Sequence, residues 1–139
     1  MMDIYHLKND LSVFGNRVNT FPLGIGAAFE ALAKKLPDGF QRPYYGISYF
    51  DIDGTIVYNA ATAGQYEGEA EKYNCEKYII EKGDYLTVTI QGWRSKTDSI
   101  KDIFHAMMQD SRADTTKPCI EWYKTGDQML CMIKTKEPR

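Results

Sequence analysis

Two segments of the chain place apolar residues three and four positions apart, the spacing that puts them on one face of an α-helix. The first stripe is formed by Ile25, Ala28, Phe29, Leu32 and Leu36, and the second by Ile100, Ile103, Phe104, Met107 and Met108. Pro22 lies near the start of the first segment, and the Pro-Asp-Gly sequence at 37–39 ends it. The pattern therefore predicts two amphipathic helices that pack on a sheet.

Several shorter apolar segments are rich in β-branched and aromatic residues, which is typical of strands. We predict strands over residues 11–14, 44–50, 55–61, 77–80, 85–90, 119–123 and 129–133. Turn sequences that contain glycine and aspartate separate consecutive strands at 51–54, 82–84 and 125–127. Strands joined by such short turns run antiparallel. The polar, acidic segment 64–74 predicts a solvated loop.

The order of these elements repeats along the chain. A Gly-x-Arg sequence follows the first apolar strand at 15–17 and recurs at 92–94, and each copy is followed by a helical stripe and then by a proline, Pro43 or Pro118. Each half therefore reads as strand, helix, strand, hairpin and strand. We predict an α+β fold of duplicated βαββ units with pseudo-twofold symmetry, in which an antiparallel sheet carries two helices on one face.

The sequence Asp-Ile-Asp-Gly-Thr at 51–55 resembles the nucleophile motif of a large family of aspartate-dependent phosphatases. Phosphoryl transfer to aspartate also needs a magnesium site with further carboxylates, and Asp127, the nearest downstream candidate, is not followed by a second acid. The repeat aligns 51–54 with the turn at 125–127, and Asp-Gly between apolar runs is a strong hairpin signal. We predict a turn in which Asp51 and Asp53 face water.

Composition and charge limit the classes of function. With 139 residues, 43% hydrophobic and 26% charged, the chain is expected to form a single domain over 1–139, with halves at about 1–64 and 75–136. A net charge of −2 without a basic block argues against nucleic-acid binding. Because no apolar segment approaches the ~18 residues of a membrane span, we expect a cytoplasmic protein without membrane contact.

Few residues are available for a metal or a redox centre. The chain has three cysteines, Cys75, Cys119 and Cys131, without Cys-x-x-Cys spacing, and two histidines. We expect reduced, structural thiols, no metal site and no cofactor. The ten tyrosines are consistent with a partly polar pocket as well as with a core, because each joins an apolar ring to a polar tip.

Ordered sequence features extend over nearly the whole chain. They are FPLGIGAAFEAL at 21–32, RPYYGIS at 42–48, YNA at 58–60, GDY at 83–85, IQGW at 90–93 and KPCIEWY at 117–123. Together they resemble GyrI-like small-molecule-binding domains, which are also the effector-binding domains of AraC-type and multidrug-responsive bacterial activators. The resemblance implies a ligand cavity at the junction of the two units, for bulky, apolar and often cationic compounds.

The resemblance also implies an acidic residue in that cavity, at the position of Glu121. A carboxylate on a central strand is costly to bury unpartnered, so a cationic ligand, tyrosine hydroxyls, or a basic residue such as Arg94 or Arg42 must satisfy it. The predicted ligand-binding residues are Glu121, Tyr58, Tyr123, Trp93, Tyr45 and Phe104. Because Tyr44 and Tyr45 are adjacent on a strand, only one of them can line the cavity.

We expect a stand-alone binding protein for a small molecule, without a DNA-binding domain. A homodimer or a separate regulator protein are its possible macromolecular partners. Two alternatives stay open. In the first, the chain resembles GyrI-like hydrolases of electrophilic, cyclopropanoid-type compounds, with Glu121 as the catalytic residue that orients or deprotonates water. In the second, it is a protein–protein inhibitor of the gyrase-inhibitor type, which would use the acidic segment 65–73.

Overall fold

The computed structural model describes residues 2–21, 23–124 and 127–136. Within these residues the elements follow one another as β1 (Asp3–Leu7), β2 (Leu11–Arg17), α1 (Ile25–Lys35), β3 (Tyr44–Phe50), β4 (Ile56–Ala63), α2 (Glu69–Lys72), β5 (Glu76–Ile80), β6 (Gly83–Gln91), α3 (Thr97–Met108), β7 (Cys119–Tyr123) and β8 (Gln128–Lys134). Short 3-10 turns at Gly39–Gln41 and Trp93–Ser95 precede β3 and α3. The predicted α+β class is confirmed.

The described strands form one eight-stranded sheet in the order β1-β6-β8-β7-β3-β4-β2-β5, and all neighbours are antiparallel. β5 and β6 are joined by two residues, Glu81 and Lys82, although they lie near opposite ends of this order. So short a connection requires the sheet to curl until its two ends approach each other. Contacts of Lys82 with Asp10 and of Tyr85 with Glu81 hold the ends in place.

Both long helices pack on the same face of the sheet. α1 covers β2 and β4, where Phe14 and Ala60 are buried beneath it, and α3 covers β6 and β8 over Leu86 and Ile133. Between the two helices run β3 and β7, which pair at the centre of the sheet. The space above this central pair is therefore covered by neither helix.

A second layer of the core lies on the other face, inside the curl. Val13, Ile47, Ile120, Leu130 and Met132 are buried there. Burial on both faces explains why several strands are apolar at nearly every position rather than alternating. Because the sheet buries its other face against itself, the helices are left to cover one face only.

Two elements differ from the sequence prediction. β1 was not predicted; it has only five residues, three of them exposed, and it pairs only with β6 at the edge of the sheet. α2 lies in the segment predicted as a loop and raises the number of helices in the described chain from two to three. A single turn of four residues is too short to show helical periodicity. Each half does contain a βαββ order, but duplication with pseudo-twofold symmetry remains a prediction.

The 51–54 sequence forms the predicted turn between β3 and β4. The Gly54 N–H donates to the Asp51 carbonyl at 2.9 Å, and the Asp53 carboxylate accepts the N–H of Thr55 at 3.0 Å. Gly54 has a φ of 84°, the left-handed conformation that favours glycine. Asp51 and Asp53 are exposed, as expected. Of the other predicted features, Pro22 and residues 125–126 of the second turn lie outside the described residues.

No helix in the described part of the chain has the length and hydropathy needed to cross a bilayer. All three cysteines are free thiols. Burial is the main cause that raises the pKa of the Cys119 thiol to about 11 and that of Cys131 to about 12. Both therefore remain protonated at neutral pH, which agrees with the structural role predicted for the thiols.

Candidate functional site

A cavity of about 1510 Å³ lies between α1 and α3 above the central strands of the sheet. Its walls are mainly aromatic and aliphatic, and its floor is formed by the helix-facing residues of β3, β4 and β7. Five of the six predicted binding residues line it: Glu121, Tyr58, Tyr123, Trp93 and Phe104. The space that neither helix covers is thus a cavity large enough for a bulky ligand.

At the centre of the floor, two tyrosines hold the carboxylate of Glu121. The hydroxyls of Tyr58 and Tyr123 both donate to Glu121 Oε1, each at 2.6 Å. Tyr123 lies two residues after Glu121 on β7, so alternation places both on the same face. Tyr58 reaches Glu121 from β4, across the intervening strand β3. We refer to Glu121, Tyr58 and Tyr123 as the carboxylate–phenol cluster.

Gly46 makes room for this cluster. It pairs with Glu121 on one side and with Ala60 on the other, so the ring of Tyr58 must pass over it. A Cβ at Gly46 would come within 2.5 Å of Glu121 Oε1 and closer still to the hydroxyl of Tyr58. Real side chains do not tolerate such distances, and the contact between β4 and β7 therefore depends on glycine at this position.

The cluster controls protonation as well as geometry. Burial raises the pKa of Glu121, and the two phenol hydrogen bonds lower it only in part. Burial, followed by the nearby Glu121 charge, raises the pKa of Tyr58 and of Tyr123 well above the ordinary value of 10.0. Both phenols therefore remain protonated donors, and the surroundings only partly stabilise the ionised form of the carboxyl.

The second oxygen of Glu121 is open to the cavity. In the described chain only Oε1 accepts hydrogen bonds from the protein, and Glu121 forms no salt bridge there. The two arginines considered as partners of Glu121 bind other acids: Arg42 pairs with Glu69, and Arg94 donates to Asp127. Tyrosine hydroxyls satisfy one oxygen of the carboxylate, while Oε2 is available to a ligand.

Aromatic rings build the walls around the cluster. Phe21 stacks on Tyr58 with 5.2 Å between ring centroids, and Trp93 packs on Tyr123 at 4.7 Å. Phe29 of α1 presents its ring to Tyr123 at 5.5 Å, with an edge-type angle of 69°. These contacts fix both phenols in place. The ring faces also suit a positively charged ligand group, because the face of an aromatic ring is electron-rich.

The sixth predicted residue, Tyr45, does not line this cavity, because its side chain lies on the opposite face of the sheet. It is buried inside the curl and stacks on Trp122 at 6.1 Å between centroids. Tyr44 lines the cavity in its place and donates its hydroxyl to the carbonyl of Gly39 at 2.6 Å. Strand alternation allows only one of the two, and the pairing of Gly46 with Glu121 selects the even-numbered residues of β3.

Most of the other cavity residues were not predicted as site residues, among them Phe21, Phe29 and Ser48. Phe29 belongs to the apolar stripe of α1, where a core role and a cavity role look the same in sequence. Ser48 shares the face of Tyr44 and Gly46 and follows from the same alternation once that face is known. Phe21 lies in a loop before α1, and no periodic signal marks it.

Among the described residues, no three His, Cys, Asp or Glu side chains lie close enough together to hold a metal ion. Among the basic side chains on the cavity wall, Lys117 and Arg94 pair with acids elsewhere. Lys117 contacts Glu81 at 2.9 Å and Arg94 contacts Asp127 at 3.0 Å. At the floor, Glu121 is the acidic side chain that faces the ligand space.

Comparison with known proteins identifies the fold. No family model matches the chain, and no curated protein matches it. SAV2435, solved bound to tetraphenylphosphonium, superposes with a TM-score of 0.71 and 14% identity over 98% of this chain and 94% of its own. A candidate bacterial transcription regulation protein from Staphylococcus aureus MU50 gives 0.66 and 14%, over 99% of both chains.

A hydrolase encoded by lin2189 from Listeria innocua is also similar, with a TM-score of 0.56 and 11% identity over 97% of this chain and 91% of its own. At these identities the similarity concerns the fold. The chain has a GyrI-like fold, as the sequence features at 21–32, 42–48 and 117–123 indicated.

Proposed function

We propose that this chain binds a bulky, hydrophobic small molecule with a positively charged group, and that it is related to the effector-binding domains of transcription regulators. The observation that carries the proposal is the state of Glu121. Its carboxyl lies at the floor of an apolar cavity, with one oxygen held by two phenols and the other oxygen open. A cationic ligand supplies the missing partner.

The energetics favour a cation over a neutral ligand. Burial raises the pKa of Glu121, so the ionised carboxylate is destabilised where no positive charge lies beside it. A positive charge nearby offsets this cost, and the low local dielectric strengthens the attraction. The rings of Trp93, Tyr58 and Tyr123 each add a cation–π attraction of about 0.5–2 kcal/mol where they face the charge.

The similar structures support this ligand class. SAV2435 shares the fold over almost the whole chain, and its bound compound, tetraphenylphosphonium, is a bulky hydrophobic cation. The proposed relation to transcription regulation has support in the Staphylococcus aureus protein of the same fold.

Hydrolysis of an electrophilic compound is the second candidate, and the open Oε2 of Glu121 favours it. A carboxylate with a raised pKa is a better base, and it could take a proton from water while Tyr58 or Tyr123 donates to the substrate. A hydrolase of this fold exists in Listeria innocua. Inhibition of a protein through segment 65–73 has less support, because Glu69 of that segment is buried against Arg42.

Titration with tetraphenylphosphonium, followed by calorimetry and tryptophan fluorescence, tests the binding proposal. We expect binding to the wild type and a loss of about tenfold or more in Glu121→Gln, since the charged partner is removed. Asp51→Asn is the matched control, because Asp51 is an exposed carboxylate in a turn, and it should bind normally. Unchanged affinity in Glu121→Gln would contradict the proposal.

Mass spectrometry of an electrophilic test compound, such as a cyclopropane conjugated to a carbonyl group, separates the second candidate from the first. Turnover by the wild type that disappears in Glu121→Gln indicates an enzyme. Binding without turnover leaves the chain as a binding protein.

A further inference from the structure

A second polar group, the hydroxyl of Ser48, faces the cavity close to Glu121. Ser48 lies on β3 two residues after Gly46 and therefore on the same face. It pairs with Cys119 on β7 and with Tyr58 on β4, whereas Gly46 pairs with Glu121. Ser48 is thus the diagonal cross-strand neighbour of Glu121, and it lines the same cavity.

Ser48 and Glu121 each keep an open acceptor on this floor. The Ser48 side chain is half-buried and forms no hydrogen bond with the described residues, and Glu121 Oε2 likewise has no partner among them. The other polar groups around them are already used or unreactive. Both phenols donate to Oε1, and burial keeps the Cys119 thiol protonated.

The Ser48 hydroxyl and Glu121 Oε2 can both accept hydrogen bonds, so a ligand group that contacts both must carry N–H or O–H donors as well as a positive charge. Diagonal neighbours across antiparallel strands have Cα atoms about 7–8 Å apart, and each N–H···O bond spans about 2.9 Å between heavy atoms. One nitrogen with two N–H groups can therefore donate to both side chains. A quaternary ammonium or a phosphonium has the charge but no hydrogen to donate.

We propose that Ser48 and Glu121 together bind the ammonium group of a primary or secondary amine, so that the site selects cations with N–H donors over quaternary cations of the same shape. This inference rests on the proposed function, because it specifies the cation that the cavity takes. Ser48 acts as a specificity-determining residue. The aromatic walls bind the apolar body of either kind of ligand.

The test compares 2-naphthylmethylamine with its N,N,N-trimethyl analogue by calorimetry at pH 7.5. Charge-assisted hydrogen bonds are the stronger class, so we expect the wild type to bind the amine about tenfold more tightly. Ser48→Ala should weaken amine binding about fivefold and leave the trimethyl analogue unchanged, since only the amine donates to the hydroxyl. Ser12→Ala, at an exposed serine of β2, is the matched control and should change neither affinity.

The outcomes distinguish this inference from the function it rests on. Equal affinity of the wild type for both compounds, or equal weakening of both in Ser48→Ala, overturns the role of Ser48 and leaves the cation-binding proposal standing. Failure of both compounds to bind the wild type overturns the proposed function and this inference with it. The comparison within the wild type is decisive even if the variant folds poorly.

Discussion

Glu121 and Glu69 are both acids with little access to solvent, but their surroundings shift their pKa values in opposite directions. At Glu121, burial raises the pKa, and two phenols compensate only in part. At Glu69, burial also acts to raise the pKa, but hydrogen bonds from Arg42 and from the N–H of Gln65 outweigh it and lower the pKa overall. The two residues therefore contribute to stability in opposite ranges of pH.

Proton linkage determines whether ionisation of Glu121 raises or lowers the free energy of unfolding as the pH changes. Its pKa is raised in the native state above the ordinary value of 4.5, so the native state binds more protons than the unfolded state above that pH. The free energy of unfolding must then fall as the pH rises from about 4.5 through the raised pKa. Ionisation of Glu121 is a cost that the folded protein carries until a cation binds.

The first prediction at the residue scale is that Glu121→Gln melts at a higher temperature relative to wild type at pH 8 than at pH 5. Glutamine can still accept the phenol hydrogen bonds but does not ionise. Circular dichroism melts at both pH values measure the difference. The exposed Glu67→Gln change should give no such pH dependence. A difference of the same size at pH 5 and pH 8 would show that Glu121 ionises without cost.

At the scale of elements, strand β3 works as a spacer between the strands that carry the cluster. Tyr58 on β4 and Glu121 on β7 meet only because Gly46, between them, has no side chain. The resulting hydrogen bond ties the first half of the chain to the second, since β4 and β7 come from different halves. The contact of Tyr58 with Glu121 and the close packing of β3 between β4 and β7 thus both depend on Gly46.

Gly46→Ala tests this spacer role. The added methyl group overlaps the Tyr58 hydroxyl and Glu121 Oε1, so we expect a loss of about 1–3 kcal/mol in the free energy of unfolding and weaker ligand binding. Urea denaturation and the tetraphenylphosphonium titration measure the two effects. Gly26→Ala on α1, where a Cβ meets no atom within 4 Å, should instead stabilise the fold by about 0.5–1 kcal/mol. Full stability in Gly46→Ala would contradict the spacer role.

A buried ion pair holds α2 against the sheet. Arg42 donates to both carboxylate oxygens of Glu69, at 3.1 and 3.0 Å, and also to the carbonyl of Ala63 at 2.8 Å. The Arg42 guanidinium lies over the ring of Phe14. This pair fixes α2, which lies in the connection between the two halves of the chain. Since Arg42 also lines the cavity, the pair lies at the cavity wall.

Removing one partner of this pair should destabilise the protein strongly. Glu69→Ala leaves the Arg42 charge buried, and we expect a loss of about 3–5 kcal/mol, measured by urea denaturation at pH 7. Glu71→Ala on the same helix breaks an exposed pair with Lys77 and should have little effect. Because the pKa of Glu69 is lowered, its contribution is present above pH 4.5 and is lost as the pH falls through the lowered pKa. Similar losses in both variants would contradict a special role for the buried pair.

At the scale of the whole molecule, the strand order decides where the cavity lies. Pairing of β3 with β7 brings the central strands of the two halves together, and the curl of the sheet buries its other face. The two long helices then cover the outer strands and leave the centre open between them. The site is therefore shared between the halves, and an isolated half would provide only one side of it.

Much of this arrangement could be predicted from the chain itself. The stripes of α1 and α3, the strands and the turn at 51–54 all depend on residues close in sequence, whose spacing is fixed by helix and strand geometry. The family resemblance added Glu121 and most of its aromatic neighbours. Local patterns failed for β1, an edge strand of five residues, and for α2, a single turn.

The sequence by itself determined the two long helices and seven of the eight strands of the described chain, and the family resemblance singled out Glu121 as the buried acid that needs a partner. Only the tertiary structure decided what that partner is, because the register that joins Gly46, Tyr58 and Glu121 connects residues distant in the chain. The same register selected Tyr44 over Tyr45 and placed Ser48 beside the carboxylate. In an antiparallel sheet a shift of one residue would reverse every such choice.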